Sequence, residues 1–200
     1  MQSWSDIKTT VFNECGDILS SHGYRLVKSR SSFERTITTG RLSVFLTLIS
    51  SDVGNRFARI GCGVRNSAVE KLVGGSSADT TVSLSCDTLW LLNTPEDLAS
   101  TLCGLQTHIR EVALPFLGRD YSFQQLSDLL NVTDEAGLPV YRVGMGIRFW
   151  QRGLAAAKLA GDDRFAALKA HYTHYVRSLS KGLYYREYED SVRRIEAYAA

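Results

Sequence analysis

Two runs in the first third of the chain alternate between apolar and other residues, and they limit the fold more than any other feature. Leu42, Val44, Leu46 and Leu48 form one run, and Ala58, Ile60, Cys62 and Val64 the other. A period of two marks a β-strand with one face to bury. Shorter strand patterns flank them at Tyr24–Lys28, Phe33–Ile37, Thr81–Cys86 and Leu89–Leu92. Thr39-Gly40 makes a turn, and the other connections are also short. A parallel crossover needs about a dozen residues or more, so these strands pair antiparallel.

An alternating meander needs a cover for its apolar face. Two amphipathic helices are placed to supply it, giving a two-layer α+β core. Ile7, Val11, Cys15, Ile18 and Leu19 recur at helical spacing, with Ser3 and Ser5 as candidate caps and Gly23 as the stop. Thr94-Pro95-Glu96-Asp97 opens the second as a cap, a first-turn proline and two acids suited to the helix dipole. Leu98, Leu102, Leu105, Ile109 and Val112 follow on one face, and Pro115 ends or kinks the helix. Ser122 and Gln125 form a capping box, with Tyr121 and Leu126 spaced as its hydrophobic staple.

The remainder is helical. Ile147, Trp150, Leu154 and Ala157 mark one helix, and Gly161-Asp162-Asp163 caps the next, which carries Phe165, Leu168, Tyr172 and Val176. A last helix after Gly182 carries Tyr185, Tyr188, Val192 and Ile195. The expected architecture is therefore an N-terminal helix, an antiparallel sheet of about five strands covered by helices, and a C-terminal helical arm. The expected boundary divides an α+β core at residues 1–135 from a helical hairpin or three-helix arm at 136–200, packed on the core.

Composition narrows function mainly by exclusion. With 44% hydrophobic and 22% charged residues, the 200-residue chain has ordinary globular composition. Its densest apolar run, Leu89-Trp90-Leu91-Leu92, is far too short to span a bilayer. The N-terminus lacks the basic and apolar regions of a secretory signal. Cys15, Cys62, Cys86 and Cys103 are scattered, as small core residues in a reducing compartment are, and the expected location is the cytoplasm.

No catalytic, metal or cofactor constellation is assigned. His171 and His174 share a helix side, but no carboxylate one turn away completes a metal site. Gly144-Met145-Gly146 precedes a helix in the manner of a dinucleotide loop, yet Phe149 stands where the third glycine belongs. Gly61-Cys62-Gly63 lies inside an alternating strand, where glycine admits a bulge or a close neighbour. No nucleophile elbow or phosphate-binding loop occurs, although a site assembled only in space leaves no such trace.

Two asymmetries carry the functional signal. From Tyr24 to Arg65 the basic residues are Arg25, Lys28, Arg30, Arg35, Arg41, Arg56, Arg59 and Arg65, opposed only by Glu34 and Asp52. That segment is +6 and the rest of the chain −4. Strand parity sets Arg59 and Arg65 opposite the Ile60 and Val64 face, so an arginine-bearing open sheet face is expected, with Arg35, Arg59 and Arg65 as binding candidates. Guanidinium forks suit anionic partners. Charged residues also keep an exposed sheet face soluble and its edges unpaired. The second asymmetry is tyrosine: six of nine, Tyr172, Tyr175, Tyr184, Tyr185, Tyr188 and Tyr198, lie in the last thirty residues among arginines. Tyr and Arg dominate interface hot spots, and Tyr184, Tyr185 and Arg186 are the candidates there. Consecutive tyrosines cannot both pack on one helix face.

Several segments together resemble a known pattern: a first helix ending in His22-Gly23-Tyr24, then Phe33-Glu34-Arg35, then Leu114-Pro115-Phe116-Leu117. Arg152-Gly153-Leu154 through Gly161-Asp162, with Phe165, completes it. The combination resembles an uncharacterised family of small bacterial cytoplasmic proteins, carried as a domain of unknown function. Some members lie near toxin genes and look like immunity or accessory proteins. No catalytic residues transfer with the resemblance. The expected function is a non-enzymatic protein-binding module, in its specific form an immunity or regulatory protein that blocks a partner. The alternative is an RNA- or nucleotide-binding protein using the Arg-rich sheet face, and a third is an enzyme with a spatially assembled site. One feature opposes the immunity form: an inhibitor of a basic nuclease is expected to be acidic, and this chain carries +2.

Overall fold

A computed structural model describes residues 3–76, 79–132, 147–179 and 184–198. It is α+β, with the antiparallel sheet and the flanking helices that the patterning predicts. Helix α1 (Trp4–Ser21) precedes β1 (Arg25–Val27), β2 (Ser32–Ile37), β3 (Gly40–Ser50) and β4 (Arg56–Asn66). A short helix α2 (Ser67–Val73) follows, then β5 (Val82–Ser85) and β6 (Trp90–Leu91). The sheet runs β1-β2-β3-β4-β5, and β6 also pairs with β4. Helix α3 (Pro95–His108) continues through a π-helical turn, Ile109–Ala113, into α4 (Leu114–Leu117). Helices α5 (Phe123–Leu130), α6 (Ile147–Ala160), α7 (Phe165–Ser178) and α8 (Tyr185–Glu196) complete the described elements. Among the described residues, no helix is long and apolar enough to cross a membrane.

The chain divides into two compact units, Met1–Val64 with Ser83–Arg119, and Arg65–Val82 with Asp120–Ala200. This division differs from the expected boundary near residue 135. The residues following β4 fold into α2, an element with no apolar periodicity long enough to announce it. The segment holding α2 groups with the later helices, as does α5.

In the first unit α1 and α3 cover one sheet face. Register pairs Phe33 with Val44 and Arg35 with Leu42, so these side chains share that face. Phe12 of α1 meets Phe33 with ring centroids 6.1 Å apart. Leu42, Val44 and Leu46 are buried as their alternation requires, together with Ala58, Ile60, Cys62 and Val64, while Leu48 is half-buried. The expected caps form. Ser3 and Asp6 make a reciprocal capping box on α1, and Thr94 and Asp97 make another on α3. Pro115 neither stops nor sharply ends its helix. The wider π turn just before it takes up the irregularity that a residue without an N–H imposes.

Gly61 is explained by a neighbour. A Cβ there would fall 2.3 Å from Cε2 of Phe45, whose ring lies across the glycine on the face opposite Val44. Phe45 thus supplies the apolar cover that Gly61 lacks. The close neighbour comes from the adjacent strand and not from a helix. Gly144-Met145-Gly146 lies outside the described residues.

In the second unit α6 is central, packing against α2, α5, α7 and α8. Its sequence suits that place: Gly153, Leu154, Ala155, Ala156 and Ala157 are all buried, and small side chains let neighbouring helices approach closely. The capping box of α5 forms between Ser122 and Gln125, and Tyr121 and Leu126 are both buried.

Candidate functional site

The strongest concentration of charge lies in the second unit and is largely internal. Asn66 caps α2 by accepting from the Ala68 and Val69 amides, which fixes Glu70 on the buried side with Val69, Leu72 and Val73. Glu70 is fully buried. Arg152 of α6 donates to it through Nε at 2.8 Å and through a terminal nitrogen at 3.1 Å, a bidentate fork. The Thr81 hydroxyl donates at 2.8 Å, and Arg65 approaches to 3.9 Å. Beside this pair, Asp79 accepts from Arg148 and from the Ser76 amide, both at 2.7 Å, and lies 3.7 Å from Arg152. Burial pushes the Asp79 carboxyl up, but the Ser76 amide and the Arg152 and Arg148 guanidinium groups outweigh it and hold the group below its ordinary range. Chemically, the cluster fastens α2 to α6.

A second polar network joins α5, α6 and α7. Asp162, just after α6, accepts from the Arg164 amide at 3.0 Å, its Nε at 2.9 Å and the Ser127 hydroxyl at 2.7 Å. Asn131 donates to the Ser127 hydroxyl at 3.0 Å and the Gly153 carbonyl at 2.9 Å, and accepts from the Tyr172 hydroxyl at 2.9 Å. A Cβ on Gly153 would lie 2.3 Å from Oδ1 of Asn131, so this network requires glycine. The Arg164 guanidinium, in hydrogen-bond contact, drives the Asp162 carboxyl far below its usual range. Burial opposes this, and the Ser127 hydroxyl and Arg164 amide add to the lowering. Arg152, Gly153 and Asp162 are therefore architectural. Each holds a buried polar junction.

The arginines of the sheet do not form the expected common face. Arg35 pairs with Leu42 on the helix-covered side, where it donates to the His22 carbonyl at 3.1 Å and stacks 5.1 Å from the Tyr24 ring centroid. Arg59 alternates with buried Ala58 and Ile60, on the side of Gly61 and Phe45, and donates to the Cys86 carbonyl at 3.0 Å with Asp87 at 3.8 Å. Arg65 belongs to the second unit and turns to Glu70, its side chain only 17% exposed. Strand parity alone already sets Arg35 with Phe33 and Ile37 and apart from Arg59, whereas Arg65 is answered by Glu70, five residues further on in α2. Arg30 and Arg41 both meet Glu34, at 3.0 and 3.5 Å, and Arg56 lies over the Trp4 ring. The +6 segment thus spends most of its guanidinium groups on internal partners.

The tyrosine-rich end behaves differently. Arg177 of α7 lies 4.8 Å from the Tyr185 ring centroid and donates to its hydroxyl at 2.5 Å. That hydroxyl donates to Glu189 at 3.4 Å. Tyr185 also lines an open groove between α7 and α8 with Thr173, Tyr188, Val192 and Arg193. Tyr188 and Tyr172 are buried, as packing spacing predicts. Tyr184 is 46% exposed and Arg186 is exposed. The structure therefore gathers Tyr184, Tyr185 and Arg186 at the start of one helix, with Tyr184 and Arg186 exposed and Tyr185 half-buried under Arg177. Arg177 is the residue that sequence reading missed, since only the α7–α8 packing brings it to Tyr185. His171 and His174 lie on α7, and the described residues contain no group of three metal-ligating side chains.

No family model matches the chain, and neither a curated protein nor a solved structure matches it.

Proposed function

We propose that this chain is a non-enzymatic protein-binding module that contacts its partner through the outer side of α7 and α8. The observation that carries the proposal is an aromatic and guanidinium set where α7 meets the start of α8: exposed Tyr184 and Arg186 beside exposed Arg177 stacked on the half-buried Tyr185. Rigid amphipathic tyrosines and planar arginines give large contact area at small entropic cost, which is why they concentrate in hot spots. The stacked Arg177 and Tyr185 hold each other in place before a partner arrives, which lowers the ordering cost of binding. The internal commitments of Arg30, Arg35, Arg41, Arg59 and Arg65 weigh against the sheet as a nucleic-acid platform.

The more specific form is an immunity or regulatory protein of a bacterial cytoplasm that blocks its partner, and this form rests on the family resemblance. The test is co-purification from the native host after nuclease treatment, with wild type beside Tyr184→Ala/Arg186→Glu. A protein retained by wild type and lost by the variant supports the proposal. Material that disappears with nuclease treatment would move the function to RNA binding.

A further inference from the structure

The first unit carries a groove that the tyrosine surface does not use. It lies between α1 and the outermost strand β1, with Phe12 and Leu26 as its apolar floor and Lys8 and Lys28 on its walls. Thr9 and Asn13 add polar contacts, and none of the described lining residues is acidic. Leu26 pairs with Phe33 and so points to the α1 side of the sheet, yet it remains 38% exposed. Among the described residues β1 pairs with β2 alone, so the far side of this strand is an open edge. The groove encloses about 240 Å³. That is below the range of about 300–1,000 Å³ typical of small-molecule pockets, and it suits one apolar side chain.

We infer that this groove binds an extended, acidic segment of a partner protein, which adds to β1 as a further strand. Each part of the site matches one part of that occupant. Outward amide and carbonyl groups of an edge strand pair with an extended backbone, giving affinity without sequence choice. One apolar side chain of the segment settles on Phe12 and Leu26. Its neighbours on the chain meet Lys8 and Lys28, and two ammonium groups with no lining carboxylate select acidic residues there. The three-residue length of β1 limits the pairing to a short segment. Short edges like this one are normally guarded by charge, and here the guarding lysines flank an apolar floor open to a ligand. The inference is independent of the α7–α8 surface, and either can fail without the other.

The test is selection of random linear hexapeptides displayed on phage against the folded full chain, followed by anisotropy titration of the enriched peptides. Sequences that combine acidic residues with one apolar residue are expected to dominate. Lys8→Glu/Lys28→Glu is expected to weaken them at least tenfold, and Leu26→Glu likewise. Because Leu26→Glu alters the sheet edge, the lysine pair, both exposed, keeps the test valid if that variant misfolds. Amide exchange at residues 25–28 is expected to slow at least tenfold on peptide binding. Enriched peptides without acids, unchanged affinity in the lysine variant, or unchanged exchange at 25–28 would each overturn the inference. Displacement of the peptide by an oligonucleotide as readily as by free peptide would overturn its assignment to a protein segment.

Discussion

Glu70→Ala should be among the most damaging single substitutions in the second unit. The side chain is fully buried and accepts two hydrogen bonds from Arg152 and one from Thr81, with Arg65 at 3.9 Å. Three hydrogen bonds to a charged group, at about 1.5–3 kcal/mol each, set an upper bound that relaxation reduces. Arg152 and Arg65 are 15% and 17% exposed, and Arg152 keeps Asp79 at 3.7 Å, so neither guanidinium is wholly abandoned. The loss expected is about 3–5 kcal/mol, as for breaking a buried ion pair from one side. In a chain of this size that lowers the melting temperature by about 6–20 °C. Urea unfolding followed by circular dichroism measures it, and a cycle with Arg152→Met isolates the pair. The double variant should fall short of the summed losses by about 2 kcal/mol, because the second change removes a partner already stranded. A loss under about 1 kcal/mol, or additivity within about 0.5 kcal/mol, would refute the claim that this cluster fastens α2 to α6.

Three further outcomes are expected. Leu46→Ala, on the covered face of β3 and 2% exposed, should cost about 2–5 kcal/mol in the same unfolding assay. In native protein Cys103 should alkylate first, being exposed, whereas burial pushes the Cys15 and Cys62 thiols up to about 12, with the Glu14 carboxylate adding to the first. Those two should react only after unfolding, as mass spectrometry of timed samples would show. The folded Asp162 carboxyl is depressed, so its contribution to stability is fully present above the unfolded value near pH 4 and declines as pH falls further. Asp162→Asn should therefore lower stability at pH 7 and narrow its gap to wild type as the pH drops below about 4.

Strands and caps were legible because their causes are local. Alternation at Leu42–Leu48 and Ala58–Val64 located β3 and β4, and Ser3, Thr94 and Ser122 cap the helices that follow them. Helix α2 was not legible. Its seven residues hold too few turns for periodicity, although Asn66 before it and Gly74 after it are a cap and a stop. The arginine contacts were hidden for a different reason. A charge count over Tyr24–Arg65 cannot reveal that Arg65 is answered by Glu70, or Arg35 by the His22 carbonyl, because those partners are set by packing. Parity alone also cannot say which face a helix will cover, and Arg35 proved to share the α1 side with Phe33. The tyrosine surface was more legible, since Tyr184 and Tyr185 are adjacent and no helix can bury both on one face.

The Tyr184–Arg186 surface is proposed to bind a protein. Its most direct test is the dissociation constant for the co-purified partner, measured by calorimetry with wild type, Tyr184→Ala/Arg186→Glu and Arg59→Glu. The first variant should bind at least one hundredfold more weakly, equivalent to about 2.7 kcal/mol, with an unchanged melting temperature. Arg59→Glu, whose side chain is occupied by the Cys86 carbonyl and Asp87, should bind within a factor of three of wild type. Undiminished affinity in the Tyr184→Ala/Arg186→Glu protein, or loss of binding in Arg59→Glu alone, would contradict the account.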